Sequence, residues 1–364
     1  MKVTVFNGAP RKKGYTRELI ELFRAGAESA GGDVEVIHLS EKNVKPCIGC
    51  FHCWNPNRDG RCSQRDEMDQ LIETFQDSDA VVLATPVYYY SFSAIMKAFI
   101  ERLLATSLPD VDLTSPTGLE RNSLREPDRG PEHAVLLAVG AHRSREIMDG
   151  LVKSFDLICD GMYAKPAGAL LRPESFFLDF DAGKPISGRK VRLAFETAGR
   201  ELVRDGRIDE QTQRDAALPL TRDLESFAVH SRTYWNIAKE IGAGGSDRDR
   251  MRAAASTDLR ILVHELAACL DPVTAGDLEA TIYFRLDDRD DRSWHLRISG
   301  GQCVAHPGHI EEPTLVMEMA EKTLVEIILQ KIDARQALAK GLITTSGSKR
   351  LLQRFGRLFP PPAT

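Results

Sequence analysis

The sequence predicts a doubly wound α/β unit built on a five-stranded parallel sheet, followed by a smaller α+β unit. Strand and helix signals alternate over the first ~200 of 364 residues, the pattern of βαβ units. The run Ala80-Val81-Val82-Leu83-Ala84 is apolar at every position, as a strand covered on both faces requires. Beyond Gly242–Arg250, a Gly-, Ser- and Asp-rich stretch that reads as a linker, the periodicity changes to alternating strands.

Strands are expected near Lys2–Phe6, Val34–His38, Ala80–Ala84, His133–Val139 and Ala164–Leu171. Helices are expected near Thr16–Ala30, Glu67–Gln76, Ala94–Thr106, Arg145–Cys159 and Gly188–Asp205. In the first of these, Leu19, Ile20, Phe23 and Ala27 form one apolar stripe. The polar segments Pro109–Glu132 and Arg172–Pro185 are long for loops, so lids or helix-bearing insertions are expected there. Residues 211–241 read as helical. After the linker a helix carries Leu259, Leu262, Val263 and Leu266. Three strands then alternate: Ile282, Phe284 and Leu286; Trp294, Leu296 and Ile298; Leu315, Met317 and Met319. The charged run Asp287–Arg292 fits the turn between the first two. The expected division is 1–208, a helical segment and linker over 209–250, and 251–364.

The net charge of −5 gives no case for nucleic-acid binding. No apolar run approaches the ~20 residues that span a bilayer. The N-terminus reads as a strand rather than a signal peptide, so a cytoplasmic protein is expected. Of seven cysteines, four fall within Cys47–Cys62, which points to metal or redox use rather than a secreted disulfide framework.

Two loops at strand ends carry the candidate chemistry. Asn7–Thr16, between the first strand and first helix, has the parts of a phosphate cradle. Gly8 and Gly14 permit close backbone approach, the helix start offers free N–H groups, and Arg11 and Thr16 add polar contacts. It fits neither G-x-G-x-x-G nor G-x-x-x-x-G-K-[ST], so a single phosphate group is the expected ligand. The second loop, Thr85–Ser93, follows the third strand. Its three tyrosines offer flat faces for a planar ring. A third feature is Cys47-x-x-Cys50-x-x-Cys53 followed by Cys62, a spacing that suits four thiolates around one centre. A zinc site or packing cysteines are the other readings of it.

With these motifs the first ~200 residues resemble the NADPH-dependent FMN reductase and iron–sulfur flavoprotein group of flavodoxin-like proteins. Those carry a G-S-P-R-x-x-[GS]-x-T loop after the first strand, cysteines after the second and a T-P-V-Y segment after the third. Here Ala9 replaces the usual Ser of the first motif, and Thr85–Tyr88 matches the third without change. The resemblance implies that Ala9, Pro10, Arg11, Gly14, Tyr15 and Thr16 hold an FMN phosphate. It implies that Pro86, Val87, Tyr88, Tyr89, Tyr90 and Ser91 line the flavin, and that Gly140, Ala141 and His142 close the other side. Tyr88 and His142 are candidates for placing or protonating a substrate. The implied activity is NAD(P)H-dependent reduction of a quinone-like or other small electron acceptor, in a homo-oligomer. The alternative is an iron–sulfur flavoprotein in electron transfer, with a [4Fe-4S] cluster on Cys47, Cys50, Cys53 and Cys62. The last cysteine gap is longer here than in that group. The C-terminal ~105 residues resemble the sterol carrier protein type two family over Ala280–Leu286, Trp294–Ile298, Gly300–Ala305, Leu315–Met319 and Ile332–Leu338. That implies a hydrophobic ligand, and a third reading of the whole chain as a lipid carrier with a vestigial flavodoxin-like half.

Overall fold

The computed structural model describes residues 1–57, 60–179, 188–221, 223–240, 242, 249–251, 253, 258–329 and 331–360. The chain divides into two compact units, Met1–Phe176 with Arg189–Leu218, and Phe177–Gly188 with Pro219–Thr364. Most of the expected linker Gly242–Arg250, and residues 180–185 of the second long segment, lie outside the described residues.

In the first unit, strands β1 (Lys2–Asn7), β2 (Asp33–His38), β3 (Ala80–Pro86), β6 (His133–Val139) and β7 (Lys165–Arg172) form one parallel sheet in the order β2-β1-β3-β6-β7. Helices α1 (Tyr15–Ser29), α2 (Met68–Gln76), α3 (Ala94–Arg102), α4 (Asp149–Gly161) and α5 (Gly188–Asp205) connect or follow these strands. This order is that of a flavodoxin-like doubly wound sheet, whose chain reverses direction of growth between β1 and β3. β3 is buried from end to end, as its apolar run requires. The α1 stripe of Leu19, Ile20, Phe23 and Ala27 is wholly buried. Phe6 stacks on Phe99 with ring centroids 4.4 Å apart.

The long segment Pro109–Glu132 bears no helix. It holds a two-stranded antiparallel ribbon, β4 (Ser107–Asp112) with β5 (Arg121–Leu124). Apart from Ser107 neither strand is buried, so no apolar alternation marks them. The helical stretch expected over 211–241 is two helices, α6 (Glu210–Ala216) and α7 (Leu224–Glu240).

The second unit contains α7, α8 (Leu259–Ala268), α9 (Pro272–Ala275) and strands β8 (Ala280–Leu286), β9 (Arg289–Ser299), β10 (Gln302–Pro307), β11 (Leu315–Met319) and β12 (Ile343–Gly347). Helices α10 (Glu321–Ile328), α11 (Ala334–Ala339) and α12 (Lys349–Leu358) complete it. The sheet order is β10-β9-β8-β11-β12, with only β8 and β11 parallel. Asp287 and Asp288, both at φ 52°, make the tight turn between β8 and β9. Phe284, Trp294, Met317 and Met319 all lie in the core of this unit, and Tyr283 on the opposite face is buried as well. No helix among the described residues is long and apolar enough to cross a membrane.

Helices α1 and α5 meet backbone to backbone at two glycines. A Cβ on Gly26 would fall 1.8 Å from the Glu196 carbonyl oxygen, and one on Gly199 would fall 2.0 Å from that of Phe23. No side-chain adjustment relieves such contacts. Gly199→Ala is therefore expected to destabilise the protein by about 1–3 kcal/mol through overpacking. The urea midpoint checks this, and an unchanged midpoint would show that the helices do not meet so closely.

Candidate functional site

The carboxyl ends of β1 and β3 are joined by one buried hydroxyl. Ser93 Oγ donates to the Gly8 carbonyl (2.7 Å) and accepts from the Met96 N–H (3.2 Å), so it caps α3 while holding the end of β1. The Ser93 N–H donates to Thr85 Oγ1 (3.0 Å), and the Gly8 N–H donates to the Ala84 carbonyl (2.8 Å). Gly8 is needed for space rather than for an unusual dihedral: a Cβ there would lie 2.7 Å from Met96 Cβ and 2.9 Å from Ser93 Oγ. Gly14, at φ 167°, is ordinary extended backbone.

The loop Gly8–Gly14 leads from this joint into α1. Gly14 stands at the N-cap of α1 with no side-chain cap, so the first-turn N–H groups lack the usual side-chain acceptor. Together with the helix dipole they favour an anion. Thr16 is buried in this first turn, while Pro10 and Arg11 are exposed above it. Asn7 Oδ1 accepts the Ala9 N–H (2.9 Å), and its Nδ2 lies 2.9 Å from His38 Nδ1, which sets the loop's path. A cavity of about 100 Å³ opens here, lined by Ala9, Pro10, Arg11, Gly14, Tyr15, Thr16, Arg17, Pro86, Val87, Tyr88, Val139, Gly140, Ala141 and Ser175.

Tyr88 and Ser91 exchange both backbone hydrogen bonds, each 3.1 Å, across a two-residue turn. Its central residues, Tyr89 (φ 49°) and Tyr90 (φ 69°), are both left-handed. That conformation suits Gly or Asn, and in bulky side chains it marks stored strain that points to a functional role. Tyr89 is 97% exposed, and its ring meets the Tyr90 ring edge-on at 5.8 Å between centroids. Both rings border a second cavity of about 330 Å³, with Val87, Gly140, Ala141, His142, Ser144, Ile147 and Met148. The two cavities share Val87, Gly140 and Ala141 and so adjoin.

The third wall, Gly140–Ser144, is held from below. The Gly140 N–H donates to the Arg172 carbonyl (2.9 Å), the Ser175 N–H to the Gly140 carbonyl (3.0 Å) and the Glu174 N–H to the His142 carbonyl (2.8 Å). Glu174, fully buried and left-handed at φ 50°, lies 3.8 Å from Arg143 Nε. Arg172 is also fully buried; its Nη1 and Nη2 donate to the Ala216 and Leu218 carbonyls (3.0 and 2.8 Å) and its Nε to that of Pro173. Burial pushes the Arg172 guanidinium down to about 9, against the opposing charge of Glu174.

The cysteine loop lies between β2 and α2. All seven cysteines are free thiols. Cys53 is buried, Cys50 is exposed, and Cys47 and Cys62 are half-buried. Left-handed Gly49 (φ 62°) and Phe51 (φ 53°) wind the segment tightly around Cys50. The Gly49 N–H donates to Cys47 Sγ (3.5 Å), and Ser63 Oγ lies 3.3 Å from Cys50 Sγ. Arg102, its side chain 1% exposed, grips both carboxylate oxygens of Asp66 (2.8 and 3.0 Å) and the Lys45 carbonyl (2.9 Å). Burial favours a neutral Asp66, but the Arg102 fork and the Lys45 and Met68 N–H groups outweigh it and lower its pKa. Among the described residues no three His, Cys, Asp or Glu side chains gather into a metal-binding group.

The cleft thus brings together Ala9, Pro10, Arg11, Gly14, Tyr15, Thr16, Pro86, Val87, Tyr88, Gly140 and Ala141, with Tyr89, Tyr90 and His142 in the adjoining cavity. Ser91 lines neither; it closes the tyrosine turn through its backbone. Sequence reasoning gave no role to Asn7 and Ser93, which bound the two loops it singled out, and missed Met148 and Ser175. Of these only Ser93 had a local signal, a Ser immediately before an apolar helical run.

Residues 1–113 match the family described as NADPH-dependent FMN reductase. Residues 249–363 match the family described as alkyl sulfatase C-terminal, which corrects the expected sterol carrier protein type two likeness. The segments behind that expectation are largely core-forming alternating strands, a pattern that many α+β sheets share. Over 104 residues (29% of this chain, 46% of the relative) the sequence is 41% identical to an iron–sulfur flavoprotein of Archaeoglobus fulgidus. Over 102 residues (28% and 51%) it is 30% identical to a Bacillus subtilis protein named as an NAD(P)H-dependent FMN-containing oxidoreductase. The chain spans about half the length of the curated relatives it matches. Among solved structures, an NAD(P)H:quinone oxidoreductase from Methanothermobacter marburgensis aligns with 56% of this chain and 96% of its own, at 19% identity and a TM-score of 0.42.

If the tyrosine turn is strained, Tyr89→Gly relieves a left-handed side chain and stabilises the protein by about 1 kcal/mol. Thermal unfolding checks this, and a lower melting temperature would show that the Tyr89 ring contributes more through contact than its backbone costs.

Proposed function

We propose that the first unit binds FMN and that the chain is an NAD(P)H-dependent oxidoreductase acting on a small, planar acceptor of quinone type. The observation that carries this reading is the uncapped start of α1 facing the Ala9–Thr16 loop, beside a cleft at the carboxyl ends of β1, β3 and β6. The donor set fits FMN: a helix start without a side-chain cap and Arg11 suit one phosphate, and the neighbouring walls are backbone and aromatic surface. The family match over residues 1–113 supports the same reading.

When bound, FMN supplies hydride acceptance from a nicotinamide and electron delivery to an acceptor. The chain's own residues then have distinct tasks. Arg11, Thr16 and the first-turn N–H groups of α1 hold the phosphate. Pro86–Tyr88 and Gly140–Ala141, which line the same cavity, would contact the ring system. Tyr89, Tyr90, Ile147 and Met148 give the adjoining cavity an apolar, partly aromatic lining for a planar acceptor. His142, at the rim of that cavity, is placed to hold a proton at the acceptor's polar edge.

A second reading adds an iron–sulfur cluster on Cys47, Cys50, Cys53 and Cys62. It is favoured by four cysteines outside any disulfide and by the Gly49 N–H turned toward Cys47 Sγ, and it is opposed by the geometry, since among the described residues the four do not gather into a metal-binding group.

Arg11→Ala is expected to weaken FMN binding roughly tenfold to hundredfold, the effect of losing one charge-assisted hydrogen bond of about 1.5–3 kcal/mol. Fluorescence titration measures it; unchanged affinity would take the phosphate out of this loop. Anaerobic NADPH added to the FMN-loaded chain is expected to bleach the flavin's visible absorption, and a spectrum that does not change would contradict the oxidoreductase reading.

A further inference from the structure

Charge in the second unit is unevenly placed. Arg285, Arg289, Arg292 and Lys322 each face a carboxylate, at 3.2 Å (Glu318), 2.6 Å (Asp291), 3.4 Å (Glu321) and 3.8 Å (Glu326). Residues 331–358 are different. They hold seven Lys and Arg against one Asp, a net +6 in a chain whose net charge is −5. Six of the seven, Lys331, Arg335, Lys340, Lys349, Arg350 and Arg357, are exposed. Among the described residues none of them forms a salt bridge. The lone acid, Asp333, is taken up in capping α11, where it accepts the Gln336 N–H (2.9 Å).

These cations flank β12, the end strand of its sheet. Lysines on an edge strand deter pairing with another chain, but β12 itself carries no charge. Lys349 and Arg350 stand in the first turn of α12, which holds no acid. A helix start disfavours cations, so their place there has a local cost that an anion outside the chain would offset.

Apolar side chains lie exposed among them. Helix α11 ends at left-handed Gly341 (φ 70°), whose N–H donates to the Leu338 carbonyl (3.1 Å), while the Leu342 N–H donates to that of Ala337 (2.9 Å). The residue after such a glycine ordinarily tucks against its helix. Here Leu342 is 48% exposed and Leu338 is 38% exposed, so one turn presents both with Lys340 between them. Arg354 Nη2 donates to the Thr274 carbonyl (2.6 Å), which sets Val273, 89% exposed, beside α12.

We propose that this edge of the second unit docks on the surface of an anionic lipid bilayer. The cations meet the acidic headgroups, and Leu338 and Leu342 enter the boundary between headgroups and acyl chains. Polybasic surfaces are drawn to anionic bilayers, and apolar side chains set among the cations gain burial there that a nucleic-acid backbone does not offer.

The test mixes the full chain with vesicles of phosphatidylcholine alone, or of equal parts phosphatidylcholine and phosphatidylglycerol, and measures the bound fraction by sedimentation. Binding to the anionic vesicles only, weakened by added salt, is expected. Lys349→Glu with Arg350→Glu is expected to lower that affinity at least about tenfold, since each cation near such a surface contributes severalfold. Glutamate suits the first turn of α12, so this variant is expected to keep the wild-type melting temperature or exceed it. Leu342→Gln keeps every charge and is expected to lower vesicle affinity severalfold. No binding to anionic vesicles, or binding unaltered in the charge variant, would overturn the proposal. Vesicle affinity indifferent to Leu342→Gln, with equal affinity for duplex DNA, would also overturn it and make the patch a general polyanion site.

Discussion

The cleft depends on the Ser93 hydroxyl. The ends of β1 and β3 are paired through the Gly8 N–H to Ala84 carbonyl bond, and one buried oxygen adds a tie from Gly8 to the start of α3 after β3. The oxygen bridges 85 residues of sequence and leaves no room for a side chain at Gly8. With that joint closed, α1 starts, without a side-chain cap, at the border of the cleft, and the tyrosine turn starts beside it. The reversal point of a doubly wound sheet is where ligands bind in such folds because the loops there separate rather than cross. In this chain the separation is held at a fixed width.

Around the joint, order and strain are distributed unevenly. Arg172 and Glu174 lie fully buried beneath Gly140–Ser144 and fix that wall through backbone carbonyls. The opposite wall is a turn with two exposed left-handed tyrosines. One wall is thus rigid and the other is stored strain, an arrangement suited to a site that closes on a flat ligand. The cysteine loop lies apart from the two cavities, braced by its own buried ion pair.

The sequence made legible what was contiguous. The β1 loop, the tyrosine segment and the Gly140 segment each follow a strand, and the strands stood out as short apolar runs. What stayed hidden depended on distant partners. Gly26 and Gly199 read as ordinary helical glycines until their helices meet. Arg102 and Asp66 are 36 residues apart and look like surface charges, yet both side chains are buried. The β4–β5 ribbon and β12 went unseen because little of either is buried, so no periodicity formed. Of the C-terminal strands, β8, β9 and β11 were legible, while β10 and β12 were not, and their core residues could not tell one α+β family from another.

The most direct test of the central claim compares FMN with riboflavin in equilibrium titrations of the full chain. If the α1 start and the Ala9–Thr16 loop form a phosphate cradle, FMN binds at least tenfold more tightly, a difference of about 1.4 kcal/mol or more. Equal affinity for the two would contradict the cradle and the function built on it.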